Sequence, residues 1–172
     1  MGELDQWKYC PRCAAEIEVD KAEGKVECSA CGFRTYANSE PTASALCVDD
    51  ENRVLFSRRG VEPFKGLWDL PGGFLNEAEH PLDAVRRELR EEAGVEIELT
   101  KFLGVWIDRY SEDDSGTATL NFYWSARIVE GDPQPDDDVA EFRWFAVEEI
   151  PFDELAFGYL PDVISAWREQ HP

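Results

Sequence analysis

The chain has 172 residues and a formal net charge of −20 at pH 7, and 43% of its residues are hydrophobic. This length suits one main domain with its own core and a small accessory domain. No apolar run reaches the roughly 18 residues of a membrane-spanning helix, so the sequence predicts none. The acidity argues against nonspecific attraction to nucleic acid or to an anionic membrane surface.

Two cysteine pairs lie near the amino terminus. Two residues separate the members of each pair, and residues 14–27 separate the pairs: Cys10 with Cys13, and Cys28 with Cys31. Four thiolates in this pattern are typical of a tetrahedral Zn²⁺ site. Because so short a segment cannot bury enough apolar surface to fold alone, a metal would supply the missing stability. The pattern predicts a zinc ribbon over residues 1–38, with a structural Zn²⁺.

Disulfides and a redox function are the alternatives for these cysteines. Polar residues rather than a signal-peptide pattern precede Cys10, which favours a reducing, cytoplasmic setting. No strand–helix–strand pattern surrounds either pair, which argues against redox chemistry. Residues 1–40 carry five basic and eight acidic side chains, so we expect a structural role rather than contact with nucleic acid. Cys47 lies in an apolar stretch and is expected to be an inert core thiol.

The first part of the main domain reads as two strands, residues 42–48 and 53–58, joined by an acidic turn. A short apolar run then begins at Trp68 and ends in Pro71-Gly72-Gly73. We expect this Pro-Gly-Gly segment to be a loop, in which the glycines let a ligand approach the backbone closely.

The next segment predicts a helix that carries a row of carboxylates. Its apolar residues recur at helical spacing: Leu82, Val85, Leu89 and Ala93. Pro81 suits the first turn, and Gly94 suits the position just past the end. Glu88, Glu91 and Glu92 are spaced i, i+3 and i+4, so they share one face of the helix. Because like charges on one face repel, this face predicts a divalent-metal site of the kind that serves phosphate chemistry, rather than a solvated acidic face.

The remainder predicts further strands and a final helix. Residues 111–116 and 131–138 are polar or acidic and are expected to be loops. The predicted strands cover residues 96–106, 117–129 and 141–145, and the predicted helix covers residues 160–170.

The segment from Gly73 to Val95, GFLNEAEHPLDAVRRELREEAGV, resembles the Nudix box of the Nudix hydrolases at every fixed position. The resemblance implies an α/β (α+β) fold for residues 39–172, an α/β/α sandwich around a mixed sheet. It also implies Mg²⁺- or Mn²⁺-dependent hydrolysis of a nucleoside diphosphate linked to another moiety. The implied metal ligands are Glu88, Glu91, Glu92 and the Gly73 carbonyl, with Arg87 orienting the carboxylates through salt bridges.

The resemblance also implies an acidic residue from the loop before the last strand, as a metal ligand or general base. Asp138 is the candidate, with Glu141 as the second choice, and a solvated acidic loop is the alternative for each. Nearby basic residues could contact phosphates: Arg58, Arg59, Lys65 and Arg109. A solvated strand end is the alternative for Arg58 and Arg59. We take Arg58 and Tyr110 as the candidate substrate contacts.

A zinc ribbon before a Nudix domain resembles the architecture of the NADH pyrophosphatases. Their SQPWPFPxS-like array does not occur between Val95 and Trp124, and the proline typical of many ADP-ribose hydrolases is absent after the box. The sequence therefore does not distinguish among NADH, ADP-ribose, nucleotide sugars and similar nucleotide-derived molecules as the substrate. The resemblance also implies a possible homodimer, since many relatives are dimers. The alternatives are an RNA 5′-end hydrolase, acting on a cap or a terminal pyrophosphate, and a nucleotide-sensing regulator.

Overall fold

The structure is a computed structural model that describes residues 3–113 and 115–170. Clustering of contacts divides the chain into two compact units, Met1–Ser39 and Glu40–Pro172. The smaller unit begins with a 3₁₀ turn and contains one antiparallel sheet in the order β1-β2-β3, formed by Val19–Asp20, Lys25–Glu27 and Arg34–Tyr36. Few of its described side chains are buried: Leu4, Cys10, Val26 and Cys28.

The described residues of the larger unit form seven strands and two α-helices. The strands are β4 (Glu40–Cys47), β5 (Val54–Arg59), β6 (Trp68–Asp69), β7 (Gly72–Phe74), β8 (Glu96–Arg109), β9 (Ala118–Glu130) and β10 (Val139–Phe145), and the helices are α1 (Pro81–Ala93) and α2 (Leu160–Gln170). One sheet is mixed, in the order β7-β4-β9-β8, with β4 and β9 parallel; the other is antiparallel, in the order β10-β5-β6. None of the described helices is long and apolar enough to cross a membrane.

Alternation along β4 shows how the sheet separates the two helices. Ala43, Ala45 and Cys47 are fully buried and belong to the same apolar core as the inner face of α1. Leu46 points to the other side and belongs to the core that contains the buried residues of α2. Because side chains of a strand alternate between its two faces, β4 contributes to both cores. The predicted α/β/α sandwich around a mixed sheet is confirmed.

Local sequence signals fix both ends of α1. The His80 Nδ1 atom accepts a hydrogen bond from the Leu82 N–H at 3.2 Å, which satisfies one unpaired donor of the first turn. Gly94 adopts a left-handed conformation with φ 68°, and its N–H donates to the Arg90 carbonyl. This is the residue type that such an end requires, because a left-handed backbone carries no Cβ penalty in glycine. The predicted helix boundaries are confirmed.

The predicted glycine loop is wrong. Gly72–Phe74 is strand β7, which pairs with Thr42–Ser44 of β4 at the edge of the mixed sheet. A Cβ atom at Gly72 would lie 2.4 Å from the Ala43 carbonyl oxygen, so only glycine permits this approach between the strands. The Pro-Gly-Gly signal is therefore explained by close strand pairing, which places the backbone of β7 beside α1.

Candidate functional site

Arg87 gathers three carboxylates at the exposed face of α1. Its Nη1 atom donates to Glu88 at 2.7 Å and to Glu91 at 2.8 Å, while Nε and Nη2 each donate to Glu79 at 2.8 Å. The Nη2 atom also donates to the Phe74 carbonyl at 3.0 Å, which ties the group to β7. Hydrogen bonds from Arg87 lower the pKa of Glu79 to about 2. The predicted pairing partner of the box carboxylates thus holds three of them in one network.

Glu88 and Glu92 lie deeper, against the glycines of β7. A Cβ atom at Gly73 would lie 2.6 Å from the Glu88 Cδ atom, so the missing side chain makes room for this carboxylate. The Glu92 Oε2 atom accepts a hydrogen bond from the Gly72 N–H at 3.0 Å. Burial and the neighbouring charge of Glu88 raise the pKa of Glu92 to about 8, and burial also raises the pKa of Glu88. Two partly buried acids this close favour a cation beside them.

The structure brings only some of the proposed magnesium ligands together. Glu88, Glu92 and Gly73 line one cavity, whereas Glu91 turns towards Arg87 with 53% of its side chain exposed. Among the described residues, the one group of three or more side-chain ligands within 4.8 Å of one another is the cysteine group, not the three glutamates. The Arg87 Nη1 atom contacts both Glu88 and Glu91, so one cation offsets the repulsion between these two carboxylates. The donor set of carboxylates and a backbone carbonyl still fits a hard cation such as Mg²⁺.

The cavity beside these acids has a volume of about 360 Å³. Asp138 and Tyr110, two of the candidates from the sequence, lie in its lining. The described lining includes Arg59 rather than the candidate Arg58, because neighbours on a strand point to opposite faces. Arg58 instead donates through Nε to the Gly66 carbonyl at 2.8 Å. Arg59, which lines the cavity together with Arg87, therefore replaces Arg58 as the candidate substrate contact from this strand.

Several polar lining residues were not candidates from the sequence. They are Thr42, Ser44, Ser57, Asp69 and Asn121. The Thr42 hydroxyl donates to the Asn121 side-chain oxygen at 2.7 Å, which joins the parallel strands β4 and β9 inside the cavity. A signal was present in β4, where hydroxyl residues alternate with Ala43 and Ala45. Hydroxyls on one face of an otherwise apolar buried strand indicate a polar cavity on that face.

Arg59 and Asp69 form a partly buried ion pair in this lining. The Arg59 Nη1 atom lies 3.4 Å from the Asp69 Oδ2 atom, and the Arg59 Nη2 atom donates to the Tyr110 hydroxyl at 2.6 Å. Burial raises the pKa of Asp69 to about 6, although the charge of Arg59 opposes this shift. The Tyr110 and Phe157 rings stack with centroids 6.0 Å apart, and the Arg59 guanidinium lies over both. One wall of the cavity is therefore aromatic and cationic.

The four cysteines of the smaller unit converge on one point. The Sγ atoms of Cys10 and Cys31 lie 3.7 Å apart, and those of Cys13 and Cys28 lie 3.6 Å apart. Ligands about 2.3 Å from a tetrahedral zinc are about 3.8 Å from one another, so the spacing suits that metal. All five cysteines are free, and Cys47 is fully buried in the larger unit as expected of a core thiol.

An α/β/α sandwich that presents helix carboxylates beside a glycine strand and a polar cavity defines a class of candidate metal-dependent phosphate hydrolases. The NUDIX domain model matches residues 38–163, and the chain belongs to this Nudix family. In structure it is similar to a crystallised NUDIX hydrolase from Nitrosomonas europaea, with a TM-score of 0.78 and 26% identity over 96% of this chain and 93% of that one.

Curated relatives add chemical detail. An ADP-ribose pyrophosphatase of Methanocaldococcus jannaschii is 30% identical over 127 residues, which is 74% of this chain and 72% of the relative. The NAD-capped RNA hydrolase NudC of Pseudomonas aeruginosa is 24% identical over 145 residues, or 84% of this chain but 49% of the relative. The chain therefore spans about half the length of that relative.

Proposed function

We propose that the chain is a pyrophosphohydrolase that cleaves the phosphoanhydride bond of a nucleoside diphosphate linked to another moiety, with ADP-ribose and NADH as the leading candidates. The observation that carries this proposal is that Glu88, Glu92 and Asp138 line the same cavity as an arginine and stacked aromatic rings. Carboxylates can bind a divalent metal and accept a proton from the attacking water. The wall that contains the arginine and the aromatic rings can contact the rest of a nucleotide. The relative named ADP-ribose pyrophosphatase supports the same substrate class.

We further propose that Glu88, Glu91, Glu92 and the Gly73 carbonyl hold Mg²⁺ or Mn²⁺. Such an ion, when bound, neutralises phosphate charge and makes a bound water more acidic. Arg87 holds Glu88 and Glu91 in a fixed arrangement from one side. Asp138 is the proposed acceptor of the water proton; Glu141 is less suitable because it pairs with Arg143 and lies 3.8 Å from Arg58.

In the smaller unit, we propose that Cys10, Cys13, Cys28 and Cys31 hold a structural Zn²⁺. The proposed domains are a zinc ribbon over residues 1–38 and a Nudix domain over residues 39–172. Four free thiols within reach of one ion support a metal site and a reducing, cytoplasmic setting.

The direct test is hydrolysis of a panel of substrates with Mg²⁺ and product identification by mass. The panel contains NADH, ADP-ribose, a nucleotide sugar, FAD and a nucleoside triphosphate. Glu91→Gln keeps the shape of the side chain but removes its charge, so we expect turnover to fall by about 10²-fold or more. Glu98→Gln, at an exposed position of β8, is the control and should keep wild-type turnover. Wild-type turnover by Glu91→Gln would refute its role, and a wild-type protein that cleaves nothing in the panel would refute the function.

The names of the NudC relatives favour NAD-capped RNA as a second candidate substrate. An RNA chain would add negatively charged phosphates, and the net charge of −20 on the protein would repel them. The same panel can include an NAD-capped oligonucleotide at two salt concentrations. Faster cleavage of the capped RNA than of free NADH, with a steep loss at higher salt, would favour the RNA function.

A further inference from the structure

We propose that Arg59 and Asp69 are the specificity-determining pair of this cavity, and that they bind the edge of a planar heterocycle that carries an N–H donor beside an acceptor. This inference rests on the proposed function, because it names the part of a nucleotide substrate that the cavity recognises.

The pair is positioned by two adjacent strands. Arg59 ends β5 and Asp69 ends β6, and these strands are hydrogen-bonded neighbours in the antiparallel sheet. Both side chains line the cavity, yet only 13% of Arg59 and 14% of Asp69 is exposed. Rigid elements therefore hold two charged groups of opposite sign side by side, with little solvent around them. Such groups discriminate strongly between ligands, because a mismatched ligand leaves a buried charge unpaired.

Both groups keep unused hydrogen-bonding capacity. Arg59 donates to the Pro63 carbonyl at 2.7 Å, to Asp69 and to the Tyr110 hydroxyl. Among the described residues, these bonds use three of the five guanidinium N–H groups. The Asp69 Oδ1 atom accepts from the Leu70 N–H at 2.8 Å, and within the described part of the chain its Oδ2 atom has the 3.4 Å contact with Arg59 as its one side-chain partner. A contact of that length is weak, so a ligand can take its place.

The neighbouring rings indicate the shape of the ligand. Tyr110, Phe157 and Tyr159 form a continuous stack, with centroids 6.0 Å and 5.7 Å apart and interplanar angles of 26°. All three rings line the cavity. Flat aromatic ligands gain stacking energy on such surfaces, whereas a charged phosphate does not. The ligand group beside Arg59 and Asp69 is therefore expected to be a flat ring.

Charge and geometry then select the edge of that ring. Arg59 can donate only, and ionised Asp69 can accept only, so the complementary edge has one acceptor and one N–H donor side by side. The amino group of adenine beside a ring nitrogen has this pattern. The carboxamide of nicotinamide has it as well, through its oxygen and its NH₂ group. Both edges share one chemistry, and analogues that alter one ring at a time distinguish the two sources.

The test compares hydrolysis of NAD with that of two analogues. Nicotinic acid adenine dinucleotide replaces the carboxamide by a carboxylate, and nicotinamide purine dinucleotide replaces the adenine amino group by a hydrogen atom, which removes the N–H donor. We expect kcat/KM for one of the two analogues to fall by about 10²-fold or more, and the affected analogue identifies the ring that the pair binds. Values for all three substrates within about 3-fold would overturn the inference.

Variants test whether Arg59 and Asp69 cause the difference in kcat/KM between NAD and the affected analogue. Asp69→Asn introduces an amide that can both donate and accept, so we expect the preference to shrink to about 10-fold or less. Asp49→Asn makes the same change in an Asp–Arg pair that is remote from this lining, with Arg53 at 2.8 Å, and should keep the wild-type ratio. Unchanged discrimination by Asp69→Asn would overturn the inference. If Asp69→Asn does not fold, the ratios of kcat/KM measured with the wild-type protein still test the inference. A wild-type protein that cleaves neither a dinucleotide nor ADP-ribose would instead contradict the proposed function.

Discussion

Asp49 illustrates how much a single carboxylate can depend on its hydrogen bonds. It accepts from the Glu51 N–H at 3.0 Å, from the Arg53 N–H at 2.8 Å and from the Arg53 Nε atom at 2.8 Å. Burial alone would raise its pKa, but these hydrogen bonds outweigh burial and lower the pKa below the ordinary value. The turn between β4 and β5 is thus closed by an ionised side chain.

Asp49→Asn should therefore destabilise the protein in a pH-dependent way. At pH 7 we expect the free energy of unfolding to fall by about 1 kcal/mol, because the amide keeps an acceptor oxygen but loses the charge. A lowered folded-state pKa contributes stability above the unfolded pKa of about 3.9, and this contribution is lost as the pH falls through the folded-state value. Urea unfolding at pH 7 and at about pH 3 measures the difference between variant and wild type. A difference that does not shrink at the lower pH would contradict this account.

The sequence predicted which acidic residues belong to the site better than it predicted the groups that these residues contact. The spacing of Glu88, Glu91 and Glu92 was visible in the sequence, and the family resemblance implied that Arg87 pairs with carboxylates. Spacing on one helix could not show that Glu91 turns outward while Glu92 meets the Gly72 N–H, since that depends on β7. Asp69 was missed because one charged residue in an apolar run resembles an ordinary strand end.

At the scale of elements, the two cysteine turns have the same backbone pattern but different residues. The Ala14 N–H donates to the Cys10 carbonyl at 2.8 Å, and the Gly32 N–H donates to the Cys28 carbonyl at 2.9 Å. Both residues have a left-handed backbone, with φ 59° at Ala14 and 71° at Gly32. Only glycine adopts this conformation without steric cost. One of the two turns is therefore strained.

Exchanging the residue types should move stability in opposite directions. We expect Ala14→Gly to stabilise the smaller unit, and Gly32→Ala to destabilise it, each by about 1 kcal/mol or less. Apart from its two chain neighbours, no described residue has an atom within 4 Å of a Cβ placed at Gly32, so the cost of Gly32→Ala comes from the backbone conformation. Hydrogen exchange of the buried Val26 amide in the zinc-loaded protein measures both changes. The explanation fails if the two variants shift exchange in the same direction.

Long periodic elements were predictable, and short ones were not. The helix predicted from Pro81 to Gly94 and the final helix match α1 and α2, because apolar periodicity and end signals are local. Strands β6 and β7 have two and three residues, too few for any periodic signal. They form because hydrogen bonds with β5 and β4 stabilise them, although their own sequences carry no periodic strand signal.

At the scale of the whole molecule, the pairing of distant strands is what sequence could not supply. Strands β4 and β9 are parallel neighbours from Glu40↔Thr119 to Cys47↔Ala126, although most of the larger unit separates them in the chain. Nothing local in either strand specifies that partner, because both are β-rich and partly apolar. This pairing joins Thr42 to Asn121 and so creates the polar cavity. The family resemblance was enough to predict the fold class. Predicting the cavity would have required the register of β4 against β9.

The two units also differ in what stabilises them, and removing the proposed zinc should affect the two units differently. The larger unit has apolar cores on both sides of its sheet, whereas the smaller unit buries only a few side chains around its cysteines. A zinc-selective chelator, with Mg²⁺ kept in excess, should therefore unfold the smaller unit and leave β4 and β9 protected.

Hydrogen exchange read by mass spectrometry follows both units in one sample. Amides of residues 7–37 should exchange at least about 10-fold faster after chelation, while those of β4 and β9 should change little. Cys28→Ser should show the same pattern without chelator, because it removes one of the four thiolates. Cys47→Ala is the matched control: it removes a buried cysteine outside the cluster and should leave residues 7–37 protected. Equal loss of protection in both units would mean that the metal stabilises the chain as a whole, and unchanged exchange would mean that the four cysteines hold no structural metal.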